Sequence, residues 1–205
     1  MHDLADATIY IVDDDEDFRT SMQWLLESAN HRVVTFESAR DFLSNYKGDV
    51  GCMLLDVRMP DVNGLALQQI MQERGIHMPI IVISGHGDIQ MAVSAMKQGA
   101  MDFLEKPFSG DAVLHLVDKA LARARKQHQQ RSEIQDIADC YDTLSRRERE
   151  VMALVVEGHA NREIAEELGI SPKTVEVHRS RVMSKMHAGS LAILVQQAAR
   201  LKPLQ

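Results

Sequence analysis

Residues 51–56 read Gly51-Cys52-Met53-Leu54-Leu55-Asp56, an unbroken apolar run closed by a carboxylate. A short run of this kind between turn residues suits a parallel strand covered on both faces. Three more segments repeat the layout. Ile9-Tyr10-Ile11-Val12 leads into Asp13, Asp14 and Asp15, Ile80-Ile81-Val82-Ile83 into Ser84, and Phe103-Leu104-Glu105 into Lys106. Open parallel sheets bind ligands just past the carboxyl ends of their strands, where strand order reverses. Polar residues recurring at that position are expected to converge in space.

Strand patterns fall at 8–12, 32–36, 51–56, 79–84 and 102–105. Between them, apolar residues recur at helical spacing: Phe18, Met22, Leu25 and Leu26; Leu65, Leu67, Ile70 and Met71; Ala92, Val93 and Met96. Gly75, Gly99 and Pro79 mark helix ends and strand starts. Five strand–helix repeats of this length predict an α/β domain, flavodoxin-like and doubly wound around a five-stranded parallel sheet, since right-handed crossovers leave few alternatives. From Asp111 the pattern stays helical through Val113, Leu116, Val117, Ala120 and Leu121. The polar stretch 123–135 contains no Gly or Pro, which favours a helical linker over a disordered tether.

A third pattern follows Asp142. Ser145 and Glu148 have the spacing of a capping box, and Gly158 stops the helix they begin. Asn161 is expected to cap a second helix over 162–168. Gly169-Ile170-Ser171 forms a turn, Pro172 suits the first position of a third helix, and a last helix runs over 190–201. The reading divides the chain into residues 1–121, a linker of 122–142, and a small all-α domain of 143–205.

A chain of 205 residues is comfortable for two domains. Its charge is uneven: residues 1–121 carry 9 Lys and Arg against 19 Asp and Glu, a net of −10, while 143–205 carry 10 against 7, a net of +3. An acidic part joined to a basic part suggests two jobs. No apolar run approaches the roughly 18 residues of a membrane span. The N-terminal residues lack the basic start and apolar core of a signal peptide. Two cysteines cannot build a disulfide framework, and Cys52 is expected to be a buried thiol. The cytoplasm is the compartment these features imply.

Adjacent carboxylates such as Asp13 and Asp14, with Asp56 alongside, repel one another unless a cation or protons intervene. Hard oxygen ligands of this kind suit Mg²⁺, which is held by one or two carboxylates plus phosphate oxygens. Lys106 can pair with an anion and Ser84 can donate a hydrogen bond to it. A metal, a lysine and a hydroxyl around one carboxylate describe a site that accepts a phosphoryl group on an aspartate. Asp15 reads equally as a cap for the next helix.

Val12-Asp13-Asp14-Asp15, Leu55-Asp56-Val57-Arg58-Met59-Pro60 with Gly64, Ile83-Ser84-Gly85-His86-Gly87 and Phe103-Leu104-Glu105-Lys106-Pro107-Phe108 resemble the motifs of a two-component receiver domain of the FixJ/NarL type. The resemblance spans residues 7–121. It implies Asp56 as phosphoacceptor, with Asp14, Asp56 and the Arg58 carbonyl as Mg²⁺ ligands and Asp13 holding the metal through water. It further implies Lys106 as the phosphate-pairing lysine, a cis bond to Pro107, and Ser84 with Phe103 as the switch pair. Serine stands where threonine is commoner.

The segment 162–168, a glycine turn and 172–186 have the dimensions of a helix-turn-helix. On its third helix Val175, Val182 and Met186 can face the core. That leaves Lys173, Thr174, Glu176, Val177, Arg179, Ser180, Arg181 and Lys185 for an outer surface that contacts DNA. A plain helical bundle with a solvated basic helix fits the same pattern. Leu144-Ser145-Arg146-Arg147-Glu148, Asn161-Arg162-Glu163-Ile164-Ala165 and Ile170-Ser171-Pro172-Lys173-Thr174-Val175-Glu176-Val177-His178 resemble the LuxR-type effector domain over 142–200, with Arg162 in place of the commoner lysine. His178 has no partner at metal-ligand spacing.

Together these resemblances imply a response regulator, not an enzyme. It takes its phosphoryl group from a sensor histidine kinase, forms a homodimer when phosphorylated, and works with promoter DNA and RNA polymerase, away from any membrane. Two rivals stand beside it. Asp13-Asp14-Asp15 contains the Asp-x-Asp spacing of haloacid-dehalogenase-type phosphatases, although no further acidic pair follows the fourth strand. The other is a constitutive DNA-binding protein whose receiver is inert.

Overall fold

The computed structural model describes residues 7–60, 62–85 and 89–201. His86 and Gly87 of the fourth-strand motif lie outside them. Five strands, β1 (Thr8–Val12), β2 (Arg32–Phe36), β3 (Gly51–Asp56), β4 (Ile80–Ser84) and β5 (Asp102–Glu105), alternate with α1 (Glu16–Ser28), α2 (Ala39–Asn45), α3 (Gly64–Glu73) and α4 (Ile89–Lys97). The sheet is parallel throughout in the order β2-β1-β3-β4-β5, so its order reverses between β1 and β3. The fourth strand begins at Ile80, one residue later than expected, and the Pro79 carbonyl accepts from Met53 N–H ahead of it. Proline has no N–H with which to join the ladder itself.

Strand alternation sorts the core into two layers. Tyr10, Val12, Met53, Leu55, Ile80 and Val82 pack with Phe42, Leu67, Met71 and Ala95 of α2, α3 and α4. Ile9, Ile11, Cys52, Leu54, Ile81 and Ile83 pack on the opposite face with Leu26 of α1 and with Val113, Val117 and Leu121. Each such fully buried aliphatic side chain contributes roughly 1.5–3 kcal/mol. Cys52 is free and fully buried, and its burial pushes the thiol pKa up to about 12.

The same alternation extends to the strand ends. Asp13 and Asp56 continue the faces of Ile11 and Leu54, whereas Ser84 continues that of Val82 and faces α4. Gly64 opens α3 directly behind β3: a Cβ there would stand 2.3 Å from the Asp56 carbonyl oxygen.

Helix α5 (Gly110–Asp142) is continuous, and residues 122–142 lie within it. The chain divides into two compact units, 1–128 and 129–205, and the division falls within the residues of this helix. In the second unit, α6 (Arg146–Glu157), α7 (Asn161–Leu168), α8 (Pro172–Lys185) and α9 (Leu191–Leu201) surround a core of Leu144, Val151, Val155, Ile164, Val175, Val182, Met186 and Leu194. The capping box of α6 is present: Ser145 Oγ accepts from Glu148 N–H and Glu148 Oε2 accepts from Ser145 N–H. Gly158 and Gly169 end α6 and α7 at φ of 97° and 64°, a left-handed backbone that glycine adopts without strain. The cap of α7 differs from expectation. Asn161 is already helical, and Glu163 Oε2 accepts from the Ala160 N–H at 2.7 Å.

Candidate functional site

Among the described residues, the crevice beyond β1 and β3 holds two buried carboxylates and one ammonium. Asp13, just past β1, is buried; its Oδ1 accepts from Asp15 N–H at 2.9 Å and its Oδ2 from Lys106 Nζ at 3.0 Å. Asp56, the last residue of β3, is also buried; its Oδ2 accepts from Arg58 N–H at 2.6 Å and its Oδ1 lies 3.5 Å from Lys106 Nζ. Lys106 follows β5, where its N–H donates to the Ser84 carbonyl at 2.8 Å and its bond to Pro107 is cis. One lysine therefore serves acids from two strands. Burial raises the Asp56 pKa, the neighbouring Asp13 charge adds to that rise, and Lys106 and the Arg58 N–H oppose it.

Asp14 is exposed at the mouth of the crevice, as is the Arg58 side chain. Asp15 caps α1, its Oδ1 accepting from Phe18 N–H at 3.1 Å. Ser84 is buried at the end of β4, and its Oγ lies 3.7 Å from Met91 Sδ of α4. Phe103 is half-buried on the same face, and the β4–β5 register sets it two residues before the strand partner of Ser84.

The charge and chemistry of the donor set bear on whether it suits Mg²⁺. Two buried carboxylates share one ammonium, which leaves negative charge unbalanced, and exposed Asp14 adds more. Among the described residues no three acidic, histidine or cysteine side chains close into a cage. Mg²⁺ needs no such cage, because it keeps several waters and uses one or two carboxylates with phosphate oxygens. The residues present fit that ion.

Phe18 was legible only as a member of the apolar stripe of α1. Its ring centroid lies 3.6 Å from Lys106 Nζ. Arg19 was also missed; its Nη1 donates to the Asp13 carbonyl at 2.7 Å and ties the first turn of α1 to β1. Neither residue carries a motif signal by itself.

On α8 the structure divides the expected surface residues. Val175, Val182 and the following Met186 are buried. Lys173, Glu176, Val177, Ser180 and Arg181 are exposed, and Thr174 is half-exposed. Lys173 pairs with Glu176 at 3.0 Å, while Arg179 donates to Asn161 Oδ1 at 2.8 Å and links α8 to α7. Lys185, its side chain still 38% exposed, donates to Glu148 at 2.7 Å and to the Thr143 carbonyl at 3.0 Å. His178 is half-buried, and its Nδ1 has no hydrogen-bond partner among the described residues.

Comparison with known proteins matches residues 9–118 to the response regulator receiver domain and residues 142–198 to the bacterial regulatory proteins of the luxR family. The transcriptional regulatory protein TdiR of Thauera aromatica is 48% identical over 88% of this chain and 80% of its own. FixJ of Azorhizobium caulinodans is 46% identical over 93% of this chain and 90% of its own. Among solved structures, response regulator StyR is similar with a TM-score of 0.86 and 38% identity over 95% of this chain and 99% of that one. Full-length FixJ from B. japonicum shares 42% identity with a TM-score of 0.58, over 97% of this chain and 98% of that one.

Proposed function

Because the chain belongs to the two-component response regulators, a receiver domain joined to a LuxR-type DNA-binding domain that regulates transcription, we propose that Asp56 accepts a phosphoryl group from a sensor histidine kinase. The observation that carries this reading is the pair of buried acids sharing Lys106 at the sheet's reversal point. Both Asp13 oxygens hold short contacts, whereas among the described residues Asp56 Oδ1 has only the 3.5 Å contact to the lysine. Asp56 is thus the acid with an oxygen to spend.

In the transfer, an Asp56 oxygen forms a bond to phosphorus as the P–N bond to the kinase histidine breaks, and the imidazole keeps the electron pair. Lys106 moves its ammonium from Asp56 to a phosphoryl oxygen. Ser84 donates its hydroxyl to another, and Phe103 follows it. Asp14, Asp56 and the Arg58 carbonyl would hold Mg²⁺, with Asp13 reaching it through water, and the ion would neutralise charge on the phosphoryl oxygens.

The phosphoryl group adds about −1.5 to −2 of charge, and only a receiver state that binds it better gains population. That state dimerises through α4, β5 and α5; Ile89, Val93 and Met96 lie exposed on α4 in support of it. Two effector domains then meet half-sites one helical turn apart. Lys173, Thr174, Arg179, Ser180 and Arg181 contact DNA together with Glu176 and Val177, while Lys185 acts as an internal tether. Residues 1–121 are the receiver, 122–142 the linker and 143–205 the effector. The protein works in the cytoplasm with promoter DNA and RNA polymerase, as a switch and not an enzyme of steady turnover.

The test is labelling of the full chain with acetyl phosphate, read by intact mass. Wild type gains one phosphoryl group and Asp56→Asn gains none. Persistent labelling of the variant overturns the assignment, and labelling that survives Asp56→Asn but vanishes with Asp13→Asn favours a phosphatase-type nucleophile after β1.

A further inference from the structure

Lys106 carries a contact that phosphoryl acceptance leaves unused. Its Nζ lies 3.6 Å from the Phe18 ring centroid, beside the contacts to Asp13 and Asp56. An ammonium has three N–H donors, so two carboxylates and a ring face match its capacity. The lysine side chain is only 26% exposed, and in such a setting a cation over a ring is worth more than at a free surface.

The ring is held in place. The Asp15 cap fixes the Phe18 backbone in the first turn of α1, and Arg19 ties that turn to the Asp13 carbonyl. Phe108, two residues past the lysine, meets the Phe18 ring edge-on at 84° with 6.1 Å between centroids. Phe18 is therefore braced from both sides of the crevice. A ring face attracts an ammonium without accepting its proton or carrying charge. A third carboxylate would compete with the incoming phosphoryl oxygens; water would let the lysine tilt outward.

We propose that Phe18 is a positioning residue for phosphoryl acceptance, its ring face holding the Lys106 ammonium between Asp13 and Asp56 while one carboxylate contact is exchanged for a phosphoryl oxygen. The inference rests on Asp56 as the acceptor.

Its test compares wild type, Phe18→Leu and Phe18→Tyr as full chains. Phe18→Leu keeps apolar bulk and loses the ring, and acetyl-phosphate labelling of Asp56 slows about three- to ten-fold, the range a partly desolvated cation–π contact supports. Phe18→Tyr restores the rate. In the metal-free protein, the Lys106 ε-methylene protons show a ring-current upfield shift by NMR, retained in Phe18→Tyr and lost in Phe18→Leu. Wild-type labelling rates in Phe18→Leu, or lysine resonances that ignore the ring, overturn the proposal. Should Phe18→Leu fail to fold, mono- and then difluorinated phenylalanine at position 18 weakens the ring face at nearly constant size, and a rate indifferent to fluorination overturns it equally. If wild type is not labelled on Asp56, the acceptor reading fails by itself, and the NMR comparison still decides the contact.

Discussion

The Lys185 ammonium lies 2.7 Å from the Glu148 carboxylate and joins the end of α8 to the first turn of α6. Glu148 is buried, and the same carboxylate closes the α6 capping box on the Ser145 N–H. These two hydrogen bonds, Lys185 first, hold its pKa at about 2, below the ordinary glutamate value of 4.5. A carboxylate whose pKa falls on folding stabilises the fold when ionised. Its contribution is thus complete above pH 4.5 and is lost as pH falls from there through about 2. Melting temperatures measured across that window should drop more steeply for wild type than for Glu148→Gln. Parallel curves would show that the tether contributes nothing.

Lys106→Met should destabilise the receiver by an amount on the order of 1–3 kcal/mol at neutral pH with chelator present, because two adjacent buried carboxylates lose their shared cation. The Asp56 pKa is already raised by burial and by Asp13, so the ionised form disfavours folding. The deficit should therefore shrink as pH falls and Asp56 protonates. Denaturant titrations of both proteins at two pH values check this, and a gap that widens in acid contradicts it.

Arg181 is exposed on α8, the helix proposed to contact DNA. Arg181→Ala should weaken binding to all DNA sequences alike and reduce the slope of log affinity against log salt by about one. Glu176→Ala should instead change the ranking of binding sites with little effect on that slope. Salt titrations against a panel of randomised duplexes separate the two outcomes.

Val93 and Met96 are exposed on α4, at 45% and 46%. Val93→Asp should leave Asp56 labelling intact and lower the dimer fraction of the phosphorylated chain. Sedimentation before and after acetyl phosphate measures it. A phosphorylated dimer of undiminished affinity would move the interface elsewhere.

Four of the five strands were bounded correctly by sequence pattern because parallel strands buried on both faces are read as apolar runs, and the strand ends followed from them. The capping box at Ser145 and Glu148 was legible for the same reason: it is local chemistry three residues apart. What escaped depended on distant partners. Asn161 was expected to cap α7, but Arg179, 18 residues on, takes its side chain. Lys185 was expected at the outer surface, where its side chain is 38% exposed, but its pairing with Glu148, 37 residues earlier, had no local signal. Phe18 and Lys106 are far apart in the chain, and no periodicity announces that a stripe residue will lie against an ammonium.

Gly64 contributes no side chain, yet a Cβ at that position would stand 2.3 Å from the Asp56 carbonyl oxygen. A saturation scan scored on signalling output would therefore rank this position beside the acids. Alanine, the usual neutral probe, would mislead there: its single added carbon would displace the backbone beneath the proposed acceptor and mimic the loss of a reactive group that glycine never had.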